Sequence, residues 1–315
     1  MDTPPRRHAD SAVWADALEA ILPDVHPVDA NAVRIWFAFF PLALADALAN
    51  TDDMAGFVRR LRLEGDYRLT TQPDTSHAFL YGHRYWFAVT QAILSTPAMP
   101  PAVSGGELAT RIRGTAREAA AHCGADVSLL VGITAVGLMT QQQLAGVGLA
   151  IASQVMPQAG PEVSPEQRLS ARTGGRIDLM RLFRPVPIHR VTFDERRSDG
   201  YFRVLGRQEL TTGAATDTRP YEMQGRLTLS GPIPTDCRSG TCGTCWVGVL
   251  AGADRLSDVE PTEAKRLRAC GYSETAEARP LIRLACQARA AGDVTIVIPP
   301  WNGVLGRYAR PPVTG

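Results

Sequence analysis

Lysine is almost missing from this sequence: Lys265 is the single one among 33 basic residues, and the rest are arginine. We read that imbalance as a bias of the coding sequence, not as a function. Charge of one sign is also scarce. The formal net charge is +1, so no positive surplus is present for a nucleic acid or an anionic membrane surface, and neither partner is expected. Long hydrophobic runs are lacking too. The most apolar stretch, 127–156, carries Gln141, Gln142 and Gln143 at its middle, where a membrane span is least polar. Each apolar half is only about 12 residues long, short of the roughly 20 that cross a bilayer, so buried helices are expected there and not an integral membrane protein. No apolar core follows Arg6 and Arg7, and "WADALEAIL" carries Asp16 and Glu19, which argues against a secretory signal. The expected setting is cytoplasmic and reducing, where clustered cysteines mean metal or redox chemistry and not disulfides. Repeats and low-complexity tracts are absent.

At 315 residues, with 45% hydrophobic and 21% charged, the chain has the composition of an ordinary globular protein and the length of two domains. Up to about Met156 the period is helical. "SAVWADALEAIL" places apolar residues at helical spacing, with Asp10 or Ser11 as cap. "DANAVRIWFAFFPLALADALA" reads as one or two helices broken or kinked at Pro41. "TDDMAGFVRRLRLEG", "TSHAFLYGHRYWFAVTQAIL" and "GELATRIRGTAREAAAHCG" complete an all-α region over 1–156. Residues 157–187, rich in Pro, Gly and Ser, read as a linker, with "RIDLMRLFRP" as a short amphipathic turn near its end. From Ile188 the pattern turns to β: "IHRVTFDE", "YFRVLGR", "GRLTLSG", "CWVGVLAG" and a final buried "DVTIVIPP", with a short helix at "EPTEAKRLRACG". This second domain spans 188–300, and 301–315 is a tail. The fold class expected is α+β.

Three of the chain's six cysteines fall within nine positions, in "DCRSGTCGTC". Cys237-x4-Cys242-x2-Cys245 is the spacing that wraps a plant-type 2Fe–2S cluster and requires a fourth cysteine farther on. Cys286, in "RLACQ", supplies it. Such a cluster needs four thiolates and inward-pointing backbone N–H groups. A loop wrapped that closely has room only for small residues, here Ser239, Gly240, Thr241, Gly243 and Thr244. Structural zinc also uses C-x2-C, but it pairs two knuckles or adds histidines; here one knuckle is present and no histidine follows His189. Cys270 is a rival for the fourth position. Cys286 is preferred because it stands directly before the last strand.

Residues 188–299 resemble the plant-type, or β-grasp, 2Fe–2S ferredoxin domain. The resemblance rests on "CRSGTCGTC", the strand "WVGVLAG", the helix opening "LSDVEPTEAKRL", and "RLACQ" followed by "GDVTIVIP". It covers about a third of the chain. It implies a small mixed sheet with a helix packed across it. It also implies that Cys237 and Cys242 hold one iron, near the surface, and that Cys245 and Cys286 hold the other. Two departures stand out. The interval between Cys245 and Cys286 is longer than in chloroplast ferredoxins. The domain also lacks their acidic surplus, with 17 basic against 14 acidic residues from Val186 to Gly315. That balance favours a docked or tethered relay over a free shuttle steered by negative charge.

The expected function is one-electron transfer through one 2Fe–2S cluster, as a docked relay or as a subunit of a larger oxidoreductase, with redox proteins as partners. The alternative is a sensor in which the cluster controls how the helical domain binds a partner. No catalytic acid, base or nucleophile is expected, so the chain reads as an electron carrier and not a complete enzyme. Arg238, next to the first cysteine, is expected to raise the potential. "SHAFLYGHRYW" gathers His77, Tyr81, His83, Arg84, Tyr85 and Trp86 and reads as core packing plus a partner surface. Cys123 is a helix-end thiol. Gly146-x-Gly148 follows a helix and not a strand, so it is not a dinucleotide fingerprint.

Overall fold

The computed structural model describes residues 9–49, 79–96, 104–146, 163–173, 186–219, 231–269 and 277–299. The expected helix at 51–65, the strand "GRLTLSG", the turn at 176–185, His77, Gly148, Cys270 and the 301–315 tail lie outside these residues. Contacts divide the chain into two compact units, Met1–Phe37 with Asp66–Ala159, and Ala38–Gly65 with Gly160–Gly315.

The first unit is helical. Helix α1 (Ala9–Ile21) buries Trp14, Ala17 and Ile21, a spacing of three and four that makes one apolar stripe. It lies on α4 (Gly105–Cys123), which buries Leu108, Ala109, Ile112, Ala116 and Ala119 on one side and keeps its charged residues on the other. The start of α4 is fixed by a reciprocal cap. The Ser104 hydroxyl accepts the Glu107 N–H at 3.2 Å, and the Glu107 carboxylate accepts the Ser104 N–H at 2.9 Å. Helix α5 (Ser128–Gly146) is apolar on every side over its first three turns and runs through the middle of this unit. Among the described residues, no helix is long and apolar enough to cross a membrane.

Two expectations change here. Helix α2 (Pro27–Ala49) continues through Pro41 as one element. Proline there removes a single N–H from the ladder, and the helical period of the flanking residues persists on both sides. The aromatic segment does not form one helix. Tyr81–Tyr85 is a 3-10 turn that leads into α3 (Trp86–Ser95). The buried Asp29 carboxylate sets that turn, accepting the N–H of Gly82 at 2.7 Å and also that of Tyr81. Trp86 is 1% exposed and lies against Gly137 and Ile93, so it is a core residue and not part of a partner surface.

The second unit holds a five-stranded mixed sheet in the order β2-β1-β5-β3-β4. Strands β1 (Ile188–Thr192) and β2 (Tyr201–Leu205) form an antiparallel hairpin, with Ile188 opposite Leu205. β1 pairs parallel with β5 (Val294–Val297). Strand β3 (Trp246–Ala251) runs antiparallel to both β5 and β4 (Ile282–Leu284). The alternating burial of β1 and β2 marks a sheet with one covered face, and β3 and β5 are buried almost throughout. The short helix α7 (Leu210–Ala214) packs on β2, and α8 (Pro261–Ala269) packs beside β4. A helical N-terminal region and a mixed C-terminal sheet make the chain α+β, as the sequence predicts.

The stretch read as a linker contains a helix, α6 (Pro165–Thr173). Ser164 accepts the Gln167 N–H at its start. Arg172 makes a two-pronged ion pair with Glu195, at 2.7 and 2.9 Å, that ties α6 to the loop after β1. Arg172 is buried, so the pair is shielded from solvent in a way that a free linker could not achieve.

Candidate metal centre

The loop from Asp236 to Cys245 joins the 231–235 segment to β3, and its backbone turns left-handed at three places: Arg238 (φ 55°), Gly240 (φ 77°) and Gly243 (φ 74°). At two of these glycine is favoured by φ, and a side chain would also be tight. A Cβ on Gly240 would stand 3.2 Å from the Gln287 side chain, and one on Gly243 would stand 3.1 Å from Arg266 Nε. The turns aim N–H groups inward. The Cys242 N–H donates to Cys237 Sγ at 3.3 Å. The Thr244 hydroxyl lies 3.1 Å from Cys242 Sγ and 3.0 Å from Asp236 Oδ2. Arg266, from α8, holds the loop from outside by donating to the Cys242 carbonyl at 3.0 Å.

The fourth cysteine comes from the other side of the sheet edge. Cys286 stands in the turn after β4, where the N–H groups of Gln287 and Ala288 both donate to the Leu284 carbonyl, at 2.8 and 2.9 Å. The Ala285 N–H donates to the Cys245 carbonyl at 3.0 Å, which extends the β3–β4 pairing to the two cysteines. Gln287 Nε2 donates to the Cys286 carbonyl at 2.9 Å and lies 3.5 Å from its Sγ. An ion pair fixes β4 against α8. Arg283 and Glu263, both fully buried, bond at 2.8 and 2.9 Å, and Glu263 also accepts the Leu284 N–H at 2.7 Å. Arg283 donates in addition to the Ser257 carbonyl at 2.7 Å.

The four thiols that the sequence singles out are therefore brought together, and they differ in exposure. Cys245 and Cys286 are buried, while Cys237 and Cys242 are half-buried. They interact as two couples. Cys237 accepts from Cys242, and Cys245 is hydrogen-bonded to Cys286. Burial pushes the Cys237 thiol up, but hydrogen bonds from Ser239, Cys242 and Thr241 outweigh it and hold the group at about 5. The bond to Cys245 lowers Cys286 to about 7, and the same bond, with burial, pushes Cys245 up. Among the described residues, no three His, Cys, Asp or Glu side chains converge as ligands of one metal ion. Two couples of thiols suit a two-iron group with two thiolates per iron, and the small-residue loop and inward donors suit its anionic sulfurs. The donor set thus fits a 2Fe–2S cluster.

Sequence reasoning missed the second layer. Thr244 was noted only as small, although its position two residues after Cys242 brings its hydroxyl to that sulfur. Gln287 was visible beside Cys286. The Glu263–Arg283 pair gave no local signal, because its members are twenty positions apart. A prediction follows for Thr244. A hydroxyl that donates to a ligand sulfur favours the more negative, reduced state. A difference of about 1 kcal/mol between the two charge states corresponds to roughly 40 mV for one electron. Thr244→Val, of the same shape, should therefore lower the potential by tens of millivolts, and Thr244→Ser should restore it. A redox titration of the three proteins decides this, and equal potentials would place the hydroxyl's proton on Asp236.

Residues 221–291 match the family model described as the 2Fe-2S iron-sulfur cluster binding domain. No solved structure matches the chain. The matched segment contains the whole loop, β3, α8 and β4, and ends before β5. The C-terminal region of this chain thus carries a ferredoxin-type 2Fe–2S domain, and its chemistry is electron transfer.

Proposed function

We propose that the chain passes single electrons between protein partners as a docked relay or as a subunit of a larger oxidoreductase, using a cluster held by Cys237, Cys242, Cys245 and Cys286. The observation that carries this reading is the arrangement of the thiols as an inner and an outer couple. A bound 2Fe–2S group supplies reversible uptake of one electron. The inner couple anchors it in the sheet, and the half-buried outer couple leaves the loop between Cys237 and Cys242 as the side from which a partner approaches. Thr244 and the Cys242 N–H supply donors that offset added negative charge. The helical unit is the candidate platform that fixes the chain in a larger assembly.

Anaerobic coulometry of the iron-loaded chain tests this reading. One electron per chain should be taken up and returned reversibly, with the visible absorption bleaching and recovering in step. Irreversible loss of the absorption on reduction would mean that the centre is structural and not a relay.

A further inference from the structure

The charges on the two elements that frame the outer thiols are strongly one-sided. The loop Asp236–Cys245 and helix α8 together carry six charged side chains: Asp236, Arg238, Glu263, Lys265, Arg266 and Arg268. Glu263 is buried and committed to Arg283. That leaves four cations and one carboxylate. Arg238, Lys265 and Arg268 are exposed, and Arg266 is half-buried with its Nη2 on the Cys242 carbonyl. Among the described residues, no ion pair neutralises any of the four. Lys265 lies three positions after Thr262, whose methyl carbon comes within 3.3 Å of where a Gly240 Cβ would stand. Thr262, Lys265 and Arg266 therefore share the side of α8 that faces the cluster loop.

Among the described residues, several neighbouring acids are paired elsewhere. On the far side of Arg238, a cavity of about 340 Å³ is lined by Glu209, Arg238, Cys286, Gln287 and Arg289. There Arg289 is paired with both Glu209 and Glu260, at 3.1 and 3.2 Å. Those three residues contribute one net negative charge. Asp258 is paired with Arg279 at 2.8 Å. Among the described side chains, the charge framing the outer thiols thus sums to positive even with Asp236 and the Arg289 group included, and it surrounds the negative charge of four thiolates and their cluster.

We propose that this basic collar, Arg238 with Lys265 and Arg266, is the docking surface for a redox partner that presents a carboxylate-rich face. This inference rests on the electron-transfer reading and names the partner's chemistry. Charges of one sign around the point of closest approach steer encounters and fix orientation more than they add affinity. They act here across a rim exposed to solvent, so their effect must fade as salt screens it.

The test uses the reduced, iron-loaded full chain and two small outer-sphere oxidants, the iron(III)–EDTA anion and the tris(phenanthroline)cobalt(III) cation. In each case one electron leaves the protein and iron(III) becomes iron(II), or cobalt(III) becomes cobalt(II), with no bond formed. The second-order rate with the anion should fall severalfold as ionic strength rises from roughly 10 mM to roughly 300 mM, where the screening length shrinks from about 30 Å to well under 10 Å. The rate with the cation should rise. Replacing Arg238 and Lys265 together by Gln should reduce the low-salt rate with the anion severalfold and flatten its salt dependence, with iron content and absorption unchanged. If the wild-type rate with the anion rises with salt or does not change, the collar does not steer and the proposal is wrong. A double variant that folds and behaves as wild type would also overturn it. Reversible one-electron chemistry without the salt effect would leave the electron-transfer reading standing and remove only the acidic partner.

Discussion

Cys286→Ala should give a protein that has lost its visible charge-transfer absorption and its iron, while Cys270→Ala should keep both. Cys286 meets Cys245 in the sheet edge, and its turn is fixed by N–H groups of Gln287 and Ala288 donating to the Leu284 carbonyl. A cluster with three thiolates has lost a ligand, so the expected effect is all or nothing. Iron analysis and absorption of the two variants, purified anaerobically, read it out. Iron retained by Cys286→Ala and lost by Cys270→Ala would transfer the fourth ligand to Cys270.

The second large effect is expected at Glu263. Removing one member of a buried ion pair leaves the other charged, desolvated and unmatched, at a cost of about 3–5 kcal/mol. Glu263→Ala would strand Arg283, which is fully buried in β4, and would also free the Leu284 N–H. Both losses fall two and three residues before Cys286. Urea unfolding of the iron-loaded protein should therefore show a midpoint far below wild type, and iron should be lost early in the transition. Replacing both partners by apolar residues of similar volume should recover much of the loss, because an unpaired charge costs far more than an absent pair. If Glu263→Ala unfolds within about 1 kcal/mol of wild type, the pair does not secure the site.

The parts of this molecule that were legible in the sequence are those with a local signature. The β1–β2 hairpin shows alternation, β3 and β5 are short apolar runs, and the cysteine loop announces itself through spacing and small residues. Elements stabilised from a distance were not legible. Strand β4 is three residues long with an arginine at its centre, which reads as exposed until Glu263 arrives from α8. Helix α7 has the sequence Leu-Thr-Thr-Gly-Ala, poor in helix formers, and is held by burial against β2. Helix α6 lies in a Pro- and Gly-rich stretch whose composition hides the Arg172–Glu195 pair. In the helical unit, the segment read as core packing plus a partner surface has its Trp86 fully packed, and an aromatic next to Arg and His looks the same on paper whether it faces a partner or the core. Around the four cysteines, the donors were not legible, since Thr244, Gln287 and Arg266 matter through geometry and not through residue type.

The central claim, that four thiolates from the loop and from the turn after β4 hold one two-iron cluster that cycles a single electron, is tested most directly by iron and acid-labile sulfide analysis combined with electron paramagnetic resonance of the anaerobically purified chain. The account predicts about two irons and two sulfides per chain, no signal from the oxidised protein, and one spin per chain after one-electron reduction. A single zinc per chain, or about four irons per chain, would contradict it.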